Sequence, residues 1–322
     1  MIKISCAFAT SLATPDHVVV AEELGYHRAW LYDSPALYPD VWAMLALAAE
    51  RTSRIGLGPG VLIPSLRHPM TNAAAIATLE HLAPGRLAVA IGSGFTGRMT
   101  MGQRPLSWKF VRKYVETVQA LLRGEKVEWD GKLIQMMHPE GFAPARPIEV
   151  PLILGVGGPK GISAAEDLAD GVFSPSAVRQ APGRNSVILS FGTVLGEGES
   201  AGSERVLAAA GHGAAVSLHA MFERGADFGA IPGGAEWAAE IAVLPEEERH
   251  LAVHDRHLIA LTERDAKVVN GAMLERFGLA RTPEGWRQRL AQVEAAGVTE
   301  IAYQPAGPDI PGELERFMAA VG

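Results

Sequence analysis

Several buried apolar segments of the chain end on glycine-rich loops that can contact a ligand. One segment runs from Ile55 to Ile63 and contains Gly58 and Gly60, and another runs from Leu87 to Ile91 and ends in Gly92-Ser93-Gly94. Glycine inside a strand marks a bulge or a place where a ligand or another backbone comes close. Because ligands collect at the carboxyl ends of parallel strands in α/β folds, these loops predict a binding site at that edge of a sheet.

Histidines form the second group of residues that could do chemistry. His250, His254 and His257 lie in the segment RHLAVHDRHLIALTERD. The spacing from His250 to His254 puts both on one helical face, a pattern that can hold a metal ion. No cysteine is near and no HExxH motif is present, so we predict no metal site.

Neither glycine loop matches a common phosphate-binding motif well. The sequence GVGGPKG at 155–161 lacks the spacing and the Lys-Ser/Thr ending of a Walker A loop. The sequence GSGFTG at 92–97 resembles GxGxxG, but it follows the fourth strand of an alternating pattern, where that match is weak. The loops alone therefore do not name a ligand.

Strands and helices alternate along the chain, and this arrangement would bring the loops together. Strands are predicted at 2–9, 27–32, 55–63, 87–91, 151–156, 171–174, 186–194 and 299–303. Regular alternation predicts a parallel sheet with right-handed crossovers. Eight such strands predict an α/β fold, a TIM (β/α)8 barrel, as a single domain over 1–322 with insertions near 125–148 and 196–260.

Composition restricts the class of protein further. The net charge is −7 over 322 residues, which argues against a nucleic-acid partner, and the single cysteine, Cys6, excludes an intrachain disulfide. No apolar run approaches the roughly 20 residues of a membrane helix, and no basic-then-apolar leader opens the chain. We therefore expect a cytoplasmic protein that does not bind membranes.

Five motifs together resemble a known family. They are AEELGYHRAWLYDS, SRIGLGPGVLIPSLRHP, ATLEHLAPGRLAVAIGSG, YVETVQALLRGEKVEWDG and PLILGVGGPKGISAAEDLADGV. In this order and spacing they resemble the bacterial-luciferase-like flavin/F420-dependent oxidoreductase superfamily, and most closely its methylenetetrahydromethanopterin-reductase-like branch. The resemblance is strong over 1–174 and weaker over 250–303, whereas the part around 196–245 matches nothing in the family.

The resemblance implies a luciferase-like TIM barrel that holds F420, or alternatively FMN, at the carboxyl ends of its strands. Members carry a non-prolyl cis peptide at the end of strand three, which would fall at Gly60–Val61. Asp33 stands where the family often has Asp-His, with Ser34 replacing the histidine, and His257 matches a pocket histidine that donates a hydrogen bond or a proton. The implied catalytic residues are His257 and Asp33, and the implied cofactor contacts are Asp33, Ser34, Gly60, Val61, Gly92, Ser93, Gly94, Gly157, Gly158, Pro159 and Lys160.

The resemblance also implies a reaction. We expect F420-dependent hydride transfer to or from a small organic substrate, and the alternatives are an FMNH2-dependent two-component monooxygenase or a non-catalytic cofactor-binding barrel. A separate flavin or F420 reductase is a possible partner, and family habit indicates a homodimer. In the sugar-phosphate dehydrogenases of this branch a catalytic glutamate follows the fourth-strand loop. Phe95 stands there in this chain, which argues against sugar-phosphate oxidation.

Overall fold

The computed structural model describes residues 1–181 and 183–322, and its centre is a closed parallel barrel. The strands are β1 (Lys3–Phe8), β2 (Arg28–Leu31), β3 (Gly56–Pro59), β4 (Val89–Gly92), β5 (Val127–Trp129), β6 (Lys132–Ile134), β7 (Leu152–Gly155), β8 (Gly171–Ser174), β9 (Asn185–Ser190), β10 (Thr193–Val194), β11 (Ala280–Arg281) and β12 (Glu300–Tyr303). Within these described residues, eight strands form one sheet in the order β3-β2-β1-β12-β9-β8-β7-β4. Parallel bridges from Leu57 to Leu87 and from Leu62 to Ile91 join its two edges. The predicted (β/α)8 barrel is confirmed.

Helices surround the barrel and form most of the segment between β10 and β11. They are α1 (Thr14–Glu23), α2 (Val41–Arg51), α3 (Pro69–Leu82), α4 (Phe95–Met99), α5 (Trp108–Arg123), α6 (Pro159–Leu168), α7 (Glu204–Glu223), α8 (Gly234–Ala242), α9 (Arg249–Val253), α10 (Glu263–Ala266), α11 (Gly271–Phe277), α12 (Pro283–Ala295) and α13 (Ile310–Val321). Most begin at a side chain that accepts a hydrogen bond from the first turn, such as Asp40 for α2 and Ser107 for α5. None of the described helices is long and apolar enough to cross a membrane.

Trp30 fills the interior of the barrel and explains two of the glycines in β3 and its extension. It is fully buried, and its Nε1 donates to Oε1 of Glu300 at 2.8 Å. A β-carbon on Gly58 would lie 2.1 Å from the carbonyl oxygen of Ala88 and 2.8 Å from the Trp30 ring, and one on Gly60 would lie 3.1 Å from Cβ of Trp30. Gly58 has no room for a side chain between the Ala88 carbonyl and the indole, and a side chain at Gly60 would press on Trp30.

The seventh barrel strand is shorter than the sequence predicts. The alternation of residues predicts a strand over 186–194, whereas β9 ends at Ser190 and β10 pairs with β11 outside the barrel. Gly192 makes the turn with φ +126°, and a β-carbon there would lie 2.4 Å from the carbonyl oxygen of Leu279. The apolar pattern continues through this turn because β10 is also buried, so periodicity alone did not locate the strand end.

The helix-rich segment after β10 has a hydrophobic cluster of its own. Trp237 lies at its centre, and Phe228 stacks on the indole with ring centroids 5.3 Å apart. The helices α7, α8 and α9 contribute Leu218, Ile241 and Val253 to the same cluster. The hairpin β5–β6 lies in the segment 125–148 and turns at Asp130-Gly131.

Candidate active site

The predicted loops come together because their strands are neighbours in the sheet. Asp33 follows β2, Gly60 follows β3, Gly92 ends β4 and Gly157 follows β7, and each of these strands borders the next around the barrel. All four loops leave the carboxyl ends of the strands, the end at which (β/α)8 barrels carry their active sites. The structure therefore gathers the predicted cofactor contacts at one mouth of the barrel.

Val61 is wedged between two glycines of the neighbouring strands. The peptide bond between Gly60 and Val61 is cis, as the resemblance implies. A β-carbon on Gly92 would lie 2.8 Å from Cγ2 of Val61, and one on Gly155 would lie 2.8 Å from Cγ1. Glycine at 92 and 155 thus makes room for the valine, which remains partly exposed at the mouth.

Gly94 starts the short helix α4 directly above β4. Its φ is +81°, and a β-carbon there would lie 2.6 Å from Cγ2 of Ile63, so both its conformation and its surroundings require glycine. Ser93, the residue between the two glycines, is half-buried, and its carbonyl accepts from the amide of Leu106 at 2.8 Å. The loop is therefore closely packed.

Asp33 forms a buried ion pair. Nη1 of Arg67 lies 2.7 Å from Oδ2 of Asp33, and Nη2 of Arg67 lies 2.6 Å from Oδ2 of Asp40. Burial raises the pKa of Asp33 despite the hydrogen bond from Arg67. Asp40 is more exposed, and its pKa is lowered because the hydrogen bonds from Arg67 and from two helix amides outweigh its partial burial. The backbone of Ser34, next in the chain, accepts from the amides of Leu37 and Tyr38.

The loop from Gly157 to Lys160 is open, in contrast to the other glycine loops. A β-carbon on Gly157 or Gly158 would meet nothing within 4 Å, and no side chain caps α6, which begins at Pro159. Lys160 is exposed in the first turn of that helix. Unpartnered amides at a helix start attract anions, so the residues present fit a cofactor phosphate.

His257 lies among other histidines beneath the same mouth. Its Nε2 is 3.4 Å from Oγ1 of Thr96, in α4, and its Nδ1 is 2.8 Å from Nδ1 of His219 and 3.3 Å from Nδ1 of His254. The hydroxyl of Tyr38 donates to the backbone carbonyl of His257 at 3.0 Å, which fixes the segment against the loop after β2. His257 therefore reaches the barrel mouth through Thr96.

Burial favours the neutral form of His254 and His257. Desolvation lowers the pKa of His254 to about 4 and that of His257 well below the usual value, and the neighbouring histidines add to both shifts. His212, in α7, is fully buried without a hydrogen-bonding partner among the described residues, and desolvation lowers its pKa to about 4.

Some of the residues at this mouth did not stand out in the sequence. Arg67 and Thr96 lie inside the quoted motifs but were given no role there, and His219 lies outside them, 38 residues from His257 along the chain. His68, in contrast, caps α3 by accepting from the amide of Met70 at 3.1 Å, and its place before Pro69 indicates that role. A cleft of about 760 Å³ lined by Asp170, Arg184 and Asn185 lies at the opposite end of the strands, away from all these groups.

Comparisons with known proteins agree with the fold and the site. Residues 12–300 match the profile of the luciferase-like monooxygenase family. The 5,10-methylenetetrahydromethanopterin reductase of Archaeoglobus fulgidus is 29% identical over 315 residues, which cover 91% of this chain and 90% of that protein. The F420-dependent glucose-6-phosphate dehydrogenase of Beutenbergia cavernae is 29% identical over 334 residues, which cover 94% and 89%.

The fold has been seen in a solved structure as well. The coenzyme F420-dependent tetrahydromethanopterin reductase from Methanopyrus kandleri superposes with a TM-score of 0.67 at 20% identity, covering 99% of this chain and 98% of that chain. The chain belongs to the luciferase-like monooxygenase family. The predicted class, an oxidoreductase of the bacterial-luciferase-like superfamily, is confirmed.

Proposed function

We propose that the chain is an F420-dependent oxidoreductase that transfers hydride to or from a small organic substrate. The observation that carries this proposal is the convergence of four loops at one barrel mouth, with Val61 held between Gly92 and Gly155. The F420-dependent glucose-6-phosphate dehydrogenase that is similar to this chain over nine-tenths of its length supports F420 as the cofactor.

Each loop has a separate task in holding the cofactor. The open turn from Gly157 to Lys160 binds the phosphate with backbone amides, and Lys160 adds a positive charge. Gly60 and Val61 form the surface behind the ring. Gly92, Ser93 and Gly94 bring backbone close to it, and Asp33 with Ser34 borders the same edge. F420 supplies hydride chemistry at C5 when bound, and the protein supplies position and exclusion of water.

His257 and Thr96 serve the substrate side of the mouth. Thr96 is half-buried at the start of α4, and its hydroxyl lies 3.4 Å from Nε2 of His257. We assign His257 the role of hydrogen-bond donor to the developing charge on the substrate, directly or through the Thr96 hydroxyl. The helices after β10 cover this side and act as the lid that keeps water out.

The substrate is apolar rather than a sugar phosphate. Phe95 is 46% exposed at the first position of α4, where the sugar-phosphate branch has its glutamate. An exposed aromatic ring beside the loop favours contact with an uncharged carbon skeleton. Ketones, enones and imines are the classes to examine first.

A second candidate function is a monooxygenase that uses reduced FMN from a partner reductase. The description of the family, luciferase-like monooxygenase, favours it. A cofactor-binding barrel without catalysis is the third candidate, and either active form is expected to be a homodimer.

Turnover under controlled oxygen separates these functions. Purified protein is incubated with reduced F420 and a panel of ketones, enones and imines, with and without oxygen. We expect loss of reduced F420 and reduction of a panel member without oxygen. Turnover only with reduced FMN and oxygen would identify the monooxygenase, and no turnover with either cofactor, despite binding, would favour the non-catalytic barrel.

A further inference from the structure

Three buried histidines of the helical insertion meet at one point. His219 lies near the end of α7, His254 ends α9, and His257 follows three residues later. One ring nitrogen from each lies within 4.8 Å of the others, and all three side chains are at most 3% exposed. Nδ1 of His257 is the centre, at 2.8 Å from Nδ1 of His219 and 3.3 Å from Nδ1 of His254.

Two carboxylates determine which nitrogens of this cluster carry protons. Nε2 of His219 is 3.6 Å from Oδ1 of Asp265, and Nε2 of His254 is 3.3 Å from Oε1 of Glu223. A lone pair on either Nε2 would face a carboxylate oxygen, and this repulsion favours the tautomer of both rings that has its hydrogen on Nε2. Nδ1 of His219 and Nδ1 of His254 are then both lone pairs directed at His257.

A single proton cannot satisfy this arrangement. If Nδ1 of His257 carries a hydrogen, it can donate well to one neighbour only, and the other buried lone pair stays without a donor. If it carries none, three lone pairs face one another. A cation at the meeting point resolves both cases, and we propose that His219, His254 and His257 bind a divalent first-row transition-metal ion of the Zn²⁺ type through their Nδ1 atoms.

The distances and charges fit such an ion. Zn–N bonds of about 2.0–2.1 Å at tetrahedral angles place ligand nitrogens roughly 3.4 Å apart. The Nδ1 atoms of His254 and His257 already have this spacing at 3.3 Å, and those of His219 and His257, at 2.8 Å, are closer than it. Imidazole ligands suit zinc, copper, iron and nickel rather than magnesium or calcium. Asp265 and Glu223 balance the two positive charges, and carboxylates that orient ligating histidines in this way are the usual outer shell of such sites.

The ion would also fix the hydrogen of His257. With Nδ1 bound to metal, the remaining hydrogen of the ring is on Nε2, which lies beside Oγ1 of Thr96. His257 would then be a permanent donor toward the barrel mouth. The ion would also tie α7 to the segment after α9, two parts of the insertion that meet at this cluster.

Metal retention by the untagged full-length protein tests the proposal. The protein is stripped with a chelator, incubated with Zn²⁺, dialysed, and measured for zinc per chain and for its melting temperature. We expect one zinc per chain and a higher Tm with zinc. His219→Gln and His254→Gln should weaken zinc binding about a hundredfold or more, and Glu223→Gln about tenfold.

His250→Gln is the matched control, because His250 lies one turn before His254 in α9 but outside the cluster. It should retain zinc as the wild type does. Circular dichroism shows whether each variant is folded. Wild-type protein that keeps no zinc, or a folded His219→Gln variant that binds zinc as tightly as the wild type, would overturn the proposal. The wild-type result stands even if a variant fails to fold.

Discussion

Arg67 and Asp33 form an ion pair in which Nη1 lies 2.7 Å from Oδ2, and the Asp33 side chain is only 2% exposed. Because Asp33 follows β2 at the mouth of the barrel, this pair belongs both to the fold and to the proposed cofactor site. We expect Asp33→Asn to reduce the free energy of unfolding by about 2 kcal/mol, because Nη1 of Arg67 loses its charged acceptor inside the protein while Asp40 still pairs with Nη2. Urea denaturation measures the change.

Asp40→Asn is the control for that variant. Asp40 binds the same guanidinium, but its side chain is 53% exposed, and asparagine still caps α2. Its effect should stay within about 1 kcal/mol. Equal losses from the two substitutions would contradict the importance of the buried pair.

Gly92 and Gly155 are expected to tolerate no side chain while Val61 is present. Gly92→Ala and Gly155→Ala each place a β-carbon 2.8 Å from a valine methyl group, and we expect each to destabilise the protein by about 1–3 kcal/mol. Val61→Ala combined with Gly155→Ala should recover part of that loss, which a double-mutant cycle measures. Gly157→Ala is the control, and it should leave stability almost unchanged because open space surrounds Gly157. If the effects of Val61→Ala and Gly155→Ala on the free energy of unfolding were additive, the contact between the two residues would be refuted.

The Thr96–His257 pair is expected to contribute to turnover rather than to cofactor binding. Removing one hydrogen-bond donor to the charge that develops in the transition state typically lowers kcat by a factor of about 10²–10³. We expect a loss of that order for His257→Gln and a smaller loss for Thr96→Val. Thr96→Val is the cleaner variant, since it leaves the histidine cluster intact. Steady-state kinetics and F420 affinity are measured together, and unchanged kcat in both variants would remove His257 from the reaction.

His212 should make the protein sensitive to acid. Burial lowers its pKa in the folded state to about 4. In the unfolded chain the ring is exposed to water and has the ordinary histidine pKa of about 6.5. Stability is therefore lost as the pH falls from about 6.5 to about 4, by up to roughly 3 kcal/mol for this group. His212→Leu should flatten the curve of unfolding free energy against pH over this range. Parallel curves for His212→Leu and wild type would contradict this assignment.

The barrel could be predicted because its signals are local. Each strand is a short apolar run between turn residues, and each of the eight runs predicted for the barrel became a strand in the described structure. The predicted end of β9 was wrong because the apolar and buried residues continue beyond Gly192 into β10, which hides the turn from periodicity. The insertion was less readable, since its short helices are stabilised by packing around Trp237 rather than by their own patterns.

The site was predictable only where its residues are neighbours in sequence. The loops after β2, β3, β4 and β7 carry glycine or aspartate at strand ends, and strand order alone brings them together. The histidine cluster depends on how α7 packs against the segment after α9, which no local spacing encodes. The sequence drew attention to His250 beside His254, whereas the structure places His219 there.

The central claim is that the barrel mouth binds F420, and parallel titrations test it most directly. Purified apo-protein is titrated with F420 and with reduced FMN under anaerobic conditions, and the spectra of both cofactors are followed. We predict saturable, tight binding of F420 and weak binding of reduced FMN. The Gly158→Asp variant should bind F420 more weakly, because its new carboxylate repels the cofactor phosphate. Tight binding of reduced FMN with no binding of F420 would contradict the hydride-transfer function and establish the two-component monooxygenase in its place.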